Sequence, residues 1–367
     1  MYLLPKPKTI KEQDGQMLLC HSTHIVMTKE VAETEMHAAK RLQEAIRQET
    51  GLILPFSVGE VREGDLSLGI AKTLPEQTYE ITIDEKGGQI SGGDGAGVLY
   101  GVETFCQIVQ QCGGILPCVQ IQDAPDMPNR GYYLDQTRGR VLKLEELKKI
   151  ADRMCRYKLN QLQLYVEHTY LFRDFSEMWR DQTPLTAEEI LELDSYCRER
   201  HIELVPSLAS FGHLCTLLST KTYGDLCEME DSWKEPFSFW NRMRYHTINV
   251  SDERSLPLIK KMIAEYMQLF SSNKFNICAD ETFCLGKYKS KKLAEERGVH
   301  RLYIDYVKEL AQFLVENGKI PMFWGDIIWN SPELMKELPE SMICLNWGYA
   351  PEQREDETRA IAQTGAV

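Results

Sequence analysis

From about residue 129 onward, short apolar segments alternate with longer amphipathic ones, and this alternation constrains the fold more than any other feature of the chain. "RGYYLDQ" reads as a strand. "KLEELKKIADRMCRYK" reads as a helix with Leu144, Leu147, Ile150 and Met154 on one face. "NQLQLYVEH" is the next strand, and "TAEEILELDSYCRERH" is a helix opened by a capping box, Thr186 with Glu189 three residues on. "IELVPSLASFGH" follows as a strand, then a long polar and aromatic insertion and the helix "LPLIKKMIAEYMQLF". The strand "KFNICADE", the helix "HRLYIDYVKELAQFLVENG" and the strands "IPMFWGDII" and "MICLNWGY" complete the pattern. Strands alternating with helices imply a parallel sheet. Each strand ends on polar or aromatic residues: Asp135, Glu167 with His168, His213, Asp280 with Glu281, Trp324 with Asp326, and Trp347. A (β/α)8 barrel of the TIM type decorates every strand end in this way, whereas a doubly wound sheet gathers its ligand contacts at one switch point. Six strands can be read before the final helix "PEQREDETRAIAQTGAV". A closed barrel has eight, so the sequence is read as a barrel that stops before its last strands, an α/β fold incomplete at the C-terminus.

The first 125 residues have a different style. "EMHAAKRLQEAIRQETG" places Ala38, Leu42, Ala45 and Ile46 on one helical face, with Gly51 as the C-terminal cap. "YEITIDEKGGQISGGD" reads as a hairpin turning around Lys86-Gly87-Gly88. "GVLYGVETFCQIVQQCGG" is a second helix, with Leu99, Val102, Phe105 and Val109 in phase. These elements make a small α+β domain over 1–125, followed by the barrel over 126–367.

Composition narrows the class. A net charge of -13 argues against nucleic acid and against an anionic membrane surface, both of which need a basic footprint. No apolar run approaches the roughly 20 residues of a membrane span, and the prolines and charges of "MYLLPKPKTIKEQDGQ" do not suit a signal peptide. The 11 cysteines are scattered through apolar segments without metal-ligand spacing. That pattern fits buried thiols in a reducing compartment, so a cytoplasmic location is expected.

The pair "DE" occurs at 84–85, 252–253, 280–281 and 356–357, but only Asp280-Glu281 follows an apolar run. Carboxylates at the end of a buried strand are costly unless partnered, and their pKa values move. Ordinary glycosidases hold two carboxyl groups about 5 to 9 Å apart across the scissile bond. Adjacent residues leave a strand in opposite directions, so both acids reach one pocket only where the strand frays. An adjacent pair therefore suits a scheme in which the substrate supplies its own nucleophile.

"FNICADETFCLG" resembles the catalytic strand of family 20 glycoside hydrolases, the β-N-acetylhexosaminidases, and is most similar to their intracellular bacterial branch. "GVLYGVETFCQI", "IQDAPDMPNRG", "RGYYLDQTRG", "KLNQLQLYVEHTY", "LVPSLASFGHL" and "MFWGDI" follow in that family's order. The resemblance implies an exo-acting, retaining enzyme that removes terminal β-linked N-acetylglucosamine or N-acetylgalactosamine. Glu281 would be the general acid and base. Asp280 would orient the 2-acetamido group whose carbonyl oxygen attacks the anomeric carbon. Arg130 would grip sugar hydroxyls, Trp324 and Trp347 would wall the acetamido pocket and sugar face, and His213, Glu167 and Asp326 would be polar strand-end partners. No metal or cofactor is implied. The expected partner is a saccharide with a terminal N-acetylhexosamine, and a homodimer is compatible with the sequence. Many members read H-x-G-G-D-E, whereas this chain has Asn276, Cys278 and Ala279 before the pair. Members also take a Tyr, a Trp and an acidic residue from later strands, and none can be assigned here.

Blander readings exist for the same residues. Asp280 and Glu281 could be ion-paired with Lys287 or Lys289, and either tryptophan could be core. "DSWKEPFSFWNRMRY" could line an outer subsite or cover the barrel. Two other functions fit the residues: a non-catalytic, sugar-binding fragment, or a metal-dependent barrel hydrolase using Glu167, His168, His213 and Asp280.

Overall fold

The computed structural model describes residues 1–352 and 355–365. Two compact units are present. One comprises Met1–Tyr132 with Glu145–Gln161 and Ser195–Glu203; the other comprises Tyr133–Leu144, Leu162–Asp194 and Leu204–Val367.

The first unit is built on a seven-stranded sheet. Its strands are β1 (Thr9–Leu18), β2 (Ile25–Met27), β3 (Phe56–Val58), β4 (Leu66–Ile70), β5 (Tyr79–Asp84), β6 (Gly87–Gly92) and β7 (Ile115–Asp123), in the order β1-β7-β5-β6-β4-β2-β3. The hairpin read at 79–94 is the antiparallel pair β5 and β6, with Asp84 opposite Gly87, so Gly87 and Gly88 lie in the second strand and the turn is Glu85-Lys86. The helix Met36–Thr50 buries Ala38, Ala39, Leu42 and Ile46 and ends on Gly51 at φ 77°. That left-handed conformation is the reason a glycine follows the last turn. The helix Gly95–Cys112 is buried along almost its whole length, and Asp94 caps it by accepting from Gly97 N–H. β2 and β3 are three residues each, too short to carry a visible alternation in the sequence.

The second sheet has six strands in sequential order, β8 (Gly131–Asp135), β9 (Gln161–Val166), β10 (Glu203–Leu208), β11 (Lys274–Asn276), β12 (Ile320–Trp324) and β13 (Ile343–Leu345). The pairs β10–β11, β11–β12 and β12–β13 are parallel. Every segment read as a strand from residue 129 onward contains one of these six. The helices Ala187–Arg198, Ser255–Tyr266 and Val299–Glu316 connect successive strands. The expected capping box is formed: Thr186 N–H donates to Glu189 Oε2 at 2.9 Å, and Glu189 N–H to Thr186 Oγ1 at 3.2 Å. β9 is buried at every position, as a sheet covered on both faces demands. This unit is the strand-and-helix half-barrel of a TIM-type fold, and the first unit is of the α+β class. The helix at the end of the chain spans Glu355–Ala362, and the flanking 353–354 and 366–367 of that reading lie outside the described residues.

Candidate active site

β11 is shorter than the sequence suggested. The ladder stops at Asn276, and the next five residues are not strand. Cys278, Ala279 and Glu281 take positive φ angles of 59°, 64° and 48°, and His213, on the loop after β10, takes 58°. Each such non-glycine residue costs on the order of 1–3 kcal/mol and persists only where its surroundings fix it. The surroundings here do so through a ring of hydrogen bonds. Ser210 Oγ donates to the Ile277 carbonyl at 2.6 Å, Tyr303 Oη to the Ala279 carbonyl at 3.1 Å, and Tyr306 Oη to the Ser210 carbonyl at 3.0 Å. Asn276 Oδ1 accepts from Cys278 N–H at 2.8 Å, and its amide donates to Gln163 Oε1 at 3.0 Å. Gly212 passes so close that an added Cβ would lie 2.6 Å from the Asp280 carbonyl oxygen. The twisted main chain turns both acids into the same pocket, which a regular strand cannot do.

That pocket encloses about 550 Å³ and is lined by Asp280, Glu281, Trp324 and Trp347 together with Tyr133, Asp135, Arg138 and Tyr165. His213 is buried between the acids, with Nε2 3.4 Å from Asp280 Oδ2 and 3.3 Å from Glu281 Oε2. Neither ring nitrogen meets hydrogen-bond geometry, so the contact is one of charge facing charge. Burial alone would lower the His213 pKa, but the facing carboxylates outweigh it and raise it to about 10. His213 is therefore an imidazolium at neutral pH. Lys287 and Lys289 do not pair with the acids; Lys289 Nζ instead donates to the Asp225 carbonyl at 2.6 Å.

The sequence-selected residues fall into three groups. Asp280, Glu281, Trp324 and Trp347 line the pocket directly. His213, Asp326 and Glu167 stand behind it. Asp326 Oδ2 accepts the Glu281 N–H at 3.0 Å. Burial raises the Asp326 pKa, the Asp280 charge adds to this, and the result is about 7. Glu167 is buried at the end of β9 and accepts from Arg242 Nη2 at 2.9 Å and from Tyr165 Oη at 3.0 Å. Arg130 forms the third group and requires a correction. Its guanidinium is consumed within the first unit, donating to the Lys158 carbonyl at 2.9 Å, Gln77 Oε1 at 2.9 Å, the Met127 carbonyl at 2.7 Å and Tyr100 Oη at 3.1 Å. It is not among the residues that line the pocket.

Arg138 is one of two arginines that line the pocket, the other being Arg244. Arg138 Nε donates to Asp135 Oδ2 at 2.6 Å, and the guanidinium lies over the Tyr165 ring, 4.9 Å from the centroid. Asp135 also accepts the Thr137 and Arg138 N–H groups, which pins the turn. The signal was present in "RGYYLDQTRG": an arginine three residues past a strand-end acid is better placed for a barrel mouth than one that precedes the strand. Tyr133 was also overlooked. It packs edge-on against Trp324 at 5.0 Å between centroids, and its hydroxyl lies 3.0 Å from Ser207 Oγ. The aromatic insertion lines the site rather than only covering it, because Phe239, Trp240, Met243 and Arg244 face the pocket.

His213, Asp280 and Glu281 offer one ligand atom each within 4.8 Å of one another, a spacing compatible with a metal ion. Glu167, a further residue of the metal reading, is outside this group and is engaged by Arg242. Burial lowers the His168 pKa, and its Nδ1 stands 3.9 Å from Glu167 and makes no hydrogen bond.

Two family models cover nearly the whole chain. Residues 1–124 match the model of glycosyl hydrolase family 20, domain 2, and residues 127–366 match the family 20 catalytic domain. The chain belongs to glycosyl hydrolase family 20. A β-hexosaminidase of Porphyromonas gingivalis is 24% identical over 363 residues, covering 89% of this chain and 45% of that protein. One of Vibrio furnissii is 26% identical over 310 residues, covering 76% of this chain and 48% of that protein. The chain thus spans about half the length of these curated relatives. Among solved structures, a β-N-acetylhexosaminidase of Bacteroides fragilis superposes with a TM-score of 0.79 at 19% identity, over 99% of this chain and 74% of that one. An exo-β-N-acetylglucosaminidase of Vibrio harveyi, solved with N-acetylglucosamine, gives 0.81 at 19% identity, over 99% of this chain and 59% of that one.

Proposed function

We propose that this chain is an exo-acting, retaining β-N-acetylhexosaminidase that hydrolyses terminal β-linked N-acetylglucosamine or N-acetylgalactosamine by substrate-assisted catalysis. The observation that carries the reading is the adjacent pair Asp280 and Glu281, turned into one pocket by left-handed backbone and bridged by the His213 imidazolium. Two carboxylates this close cannot flank a glycosidic bond as acid and nucleophile, but they can act on neighbouring groups of one sugar.

Asp280 holds the acetamido N–H and stabilises positive charge as the acetamido oxygen attacks the anomeric carbon. Glu281 donates a proton to the departing oxygen, then takes one from the water that opens the oxazolinium-type intermediate. Displacement twice at one carbon gives retention. His213 keeps the dyad from carrying two uncompensated negative charges, and the Glu281–Asp326 hydrogen bond sets the direction from which the acid approaches. Trp324, Trp347 and Tyr133 supply ring faces for the sugar and the acetamido methyl, and Arg138 supplies donors for the hydroxyls. Vibrio harveyi and Streptomyces plicatus homologues solved with N-acetylglucosamine support the substrate class. All 11 cysteines are free, which supports a reducing, cytoplasmic setting.

The test is hydrolysis of an aryl β-N-acetylglucosaminide by the chain and by Glu281→Gln. General acid catalysis is worth about 10²–10⁴-fold, so the variant should lose at least about a hundredfold in kcat, and more on a sugar leaving group. Equal rates would remove Glu281 from the reaction.

A further inference from the structure

The insertion between β10 and β11 presents the helix Phe239–Arg244 to the mouth of the pocket. Its position relative to the dyad is fixed. Cys284 Sγ donates to the Arg244 carbonyl at 3.0 Å, and Phe283 N–H donates to the Glu281 carbonyl at 2.7 Å. The end of the helix is therefore tied to the segment immediately after Glu281. A general acid stands beside the oxygen it protonates, so the Glu281 side is where the leaving group departs.

Two features of that side remain unused by the mechanism. Trp240 and Phe283 are 63% and 42% exposed although both line the cavity. Arg244 lies over the Trp240 ring at 5.5 Å from its centroid, and among the described residues no carboxylate pairs with its guanidinium. An unpaired cation is unusual in a chain of net charge -13, where acids outnumber bases by 55 to 42. By contrast, the other two arginines of this locality are paired, Arg138 with Asp135 and Arg242 with Glu167. An exposed indole stacks on the apolar face of a pyranose, and a guanidinium takes a carboxylate as a two-toothed fork.

We propose that Trp240, Phe283 and Arg244 form a leaving-group subsite for an acidic sugar, so that the preferred substrate is an N-acetylhexosamine β-linked to a hexuronic acid. The proposal rests on the hexosaminidase reading of the same pocket. A uronate leaving group completes the ion pair that Arg244 lacks, while its ring lies against Trp240.

The experiment compares kcat/KM for two disaccharides, N-acetylglucosamine β-linked to glucuronic acid and to glucose, with an aryl β-N-acetylglucosaminide alongside. The uronate should be preferred about tenfold at low ionic strength, and the preference should shrink as salt is added. Arg244→Gln should bring the ratio to about one, and Arg244→Lys should restore part of it, which a merely structural role would not do. Trp240→Ala should weaken both disaccharides. A wild-type ratio near one, or a preference that survives in Arg244→Gln, overturns the subsite while leaving the hexosaminidase reading intact. Hydrolysis of none of the three compounds overturns both.

Discussion

The main-chain N–H of Glu281 donates to Asp326 Oδ2 at 3.0 Å, so the proposed acid is steered through its own backbone by a carboxyl group beyond the end of the neighbouring strand β12. Asp326 is half-buried, and desolvation, with the nearby Asp280 adding to it, raises its pKa from 3.8 to about 7. A carboxyl group with a raised folded-state value binds a proton in the native state that the unfolded chain has already released. Its contribution to stability is therefore favourable only at low pH. It declines as pH climbs from about 4 to about 7 and is flat above that. At about 1.4 kcal/mol per pKa unit, the loss amounts to about 2–4 kcal/mol. Asp326→Asn keeps an oxygen acceptor for the Glu281 N–H and cannot ionise, so its unfolding free energy should lack this decline. Urea titrations at pH 5 and pH 8 check it, and parallel slopes in both proteins would disprove it.

His213 titrates in the opposite sense. Its pKa is raised to about 10, so the attraction between imidazolium and dyad stabilises the fold fully below 6.5 and disappears as pH rises through 10. Removing the cation leaves the two carboxyl groups of the dyad facing each other without a positive charge between them. His213→Gln should lower kcat/KM by about a hundredfold and move the acidic limb of the pH profile upward. An unmoved limb would mean that the imidazolium does not set the charge of the pair.

Arg138 and Arg130 should separate cleanly. Arg138→Ala removes the pocket arginine that pairs with Asp135 and should raise KM for an N-acetylglucosaminide, lowering kcat/KM by about 10–100-fold. Arg130→Ala strips five hydrogen bonds from the first unit and should destabilise the protein by about 2–4 kcal/mol. Kinetics beside thermal denaturation of the two variants distinguishes them. A larger kinetic defect in Arg130→Ala at full stability would reverse the assignment.

Much of this was legible in the sequence because periodicity and strand-end chemistry are local. The alternation after residue 129 locates six strands, and the polar or aromatic residues at their ends include Asp135, Glu167, His213, Asp280, Glu281, Asp326 and Trp347. The fraying of β11 was legible as a requirement, since two adjacent acids cannot share a pocket on a regular strand. The form it takes was not. Left-handed angles at Cys278, Ala279 and Glu281 are imposed by Tyr303, Tyr306 and Ser210 from distant segments, against local preference. Arg130 was misplaced for a related reason. Residue type and order identify an arginine near a barrel mouth, but Gln77, Tyr100 and Lys158 decide which arginine is already occupied. The insertion carrying Phe239 and Trp240 has no periodicity to read, and only three-dimensional contacts show which face of it meets the pocket.

The central claim is that the substrate's own acetamido group is the nucleophile, with Asp280 and Glu281 serving it. Proton NMR of the first product anomer tests this most directly, run with an aryl β-N-acetylglucosaminide and, in parallel, the aryl β-glucoside that lacks the acetamido group. The account predicts that the N-acetylglucosaminide is cleaved to the β-anomer first and that the glucoside is not cleaved at a measurable rate. Release of the α-anomer first, or comparable cleavage of both compounds, would contradict it.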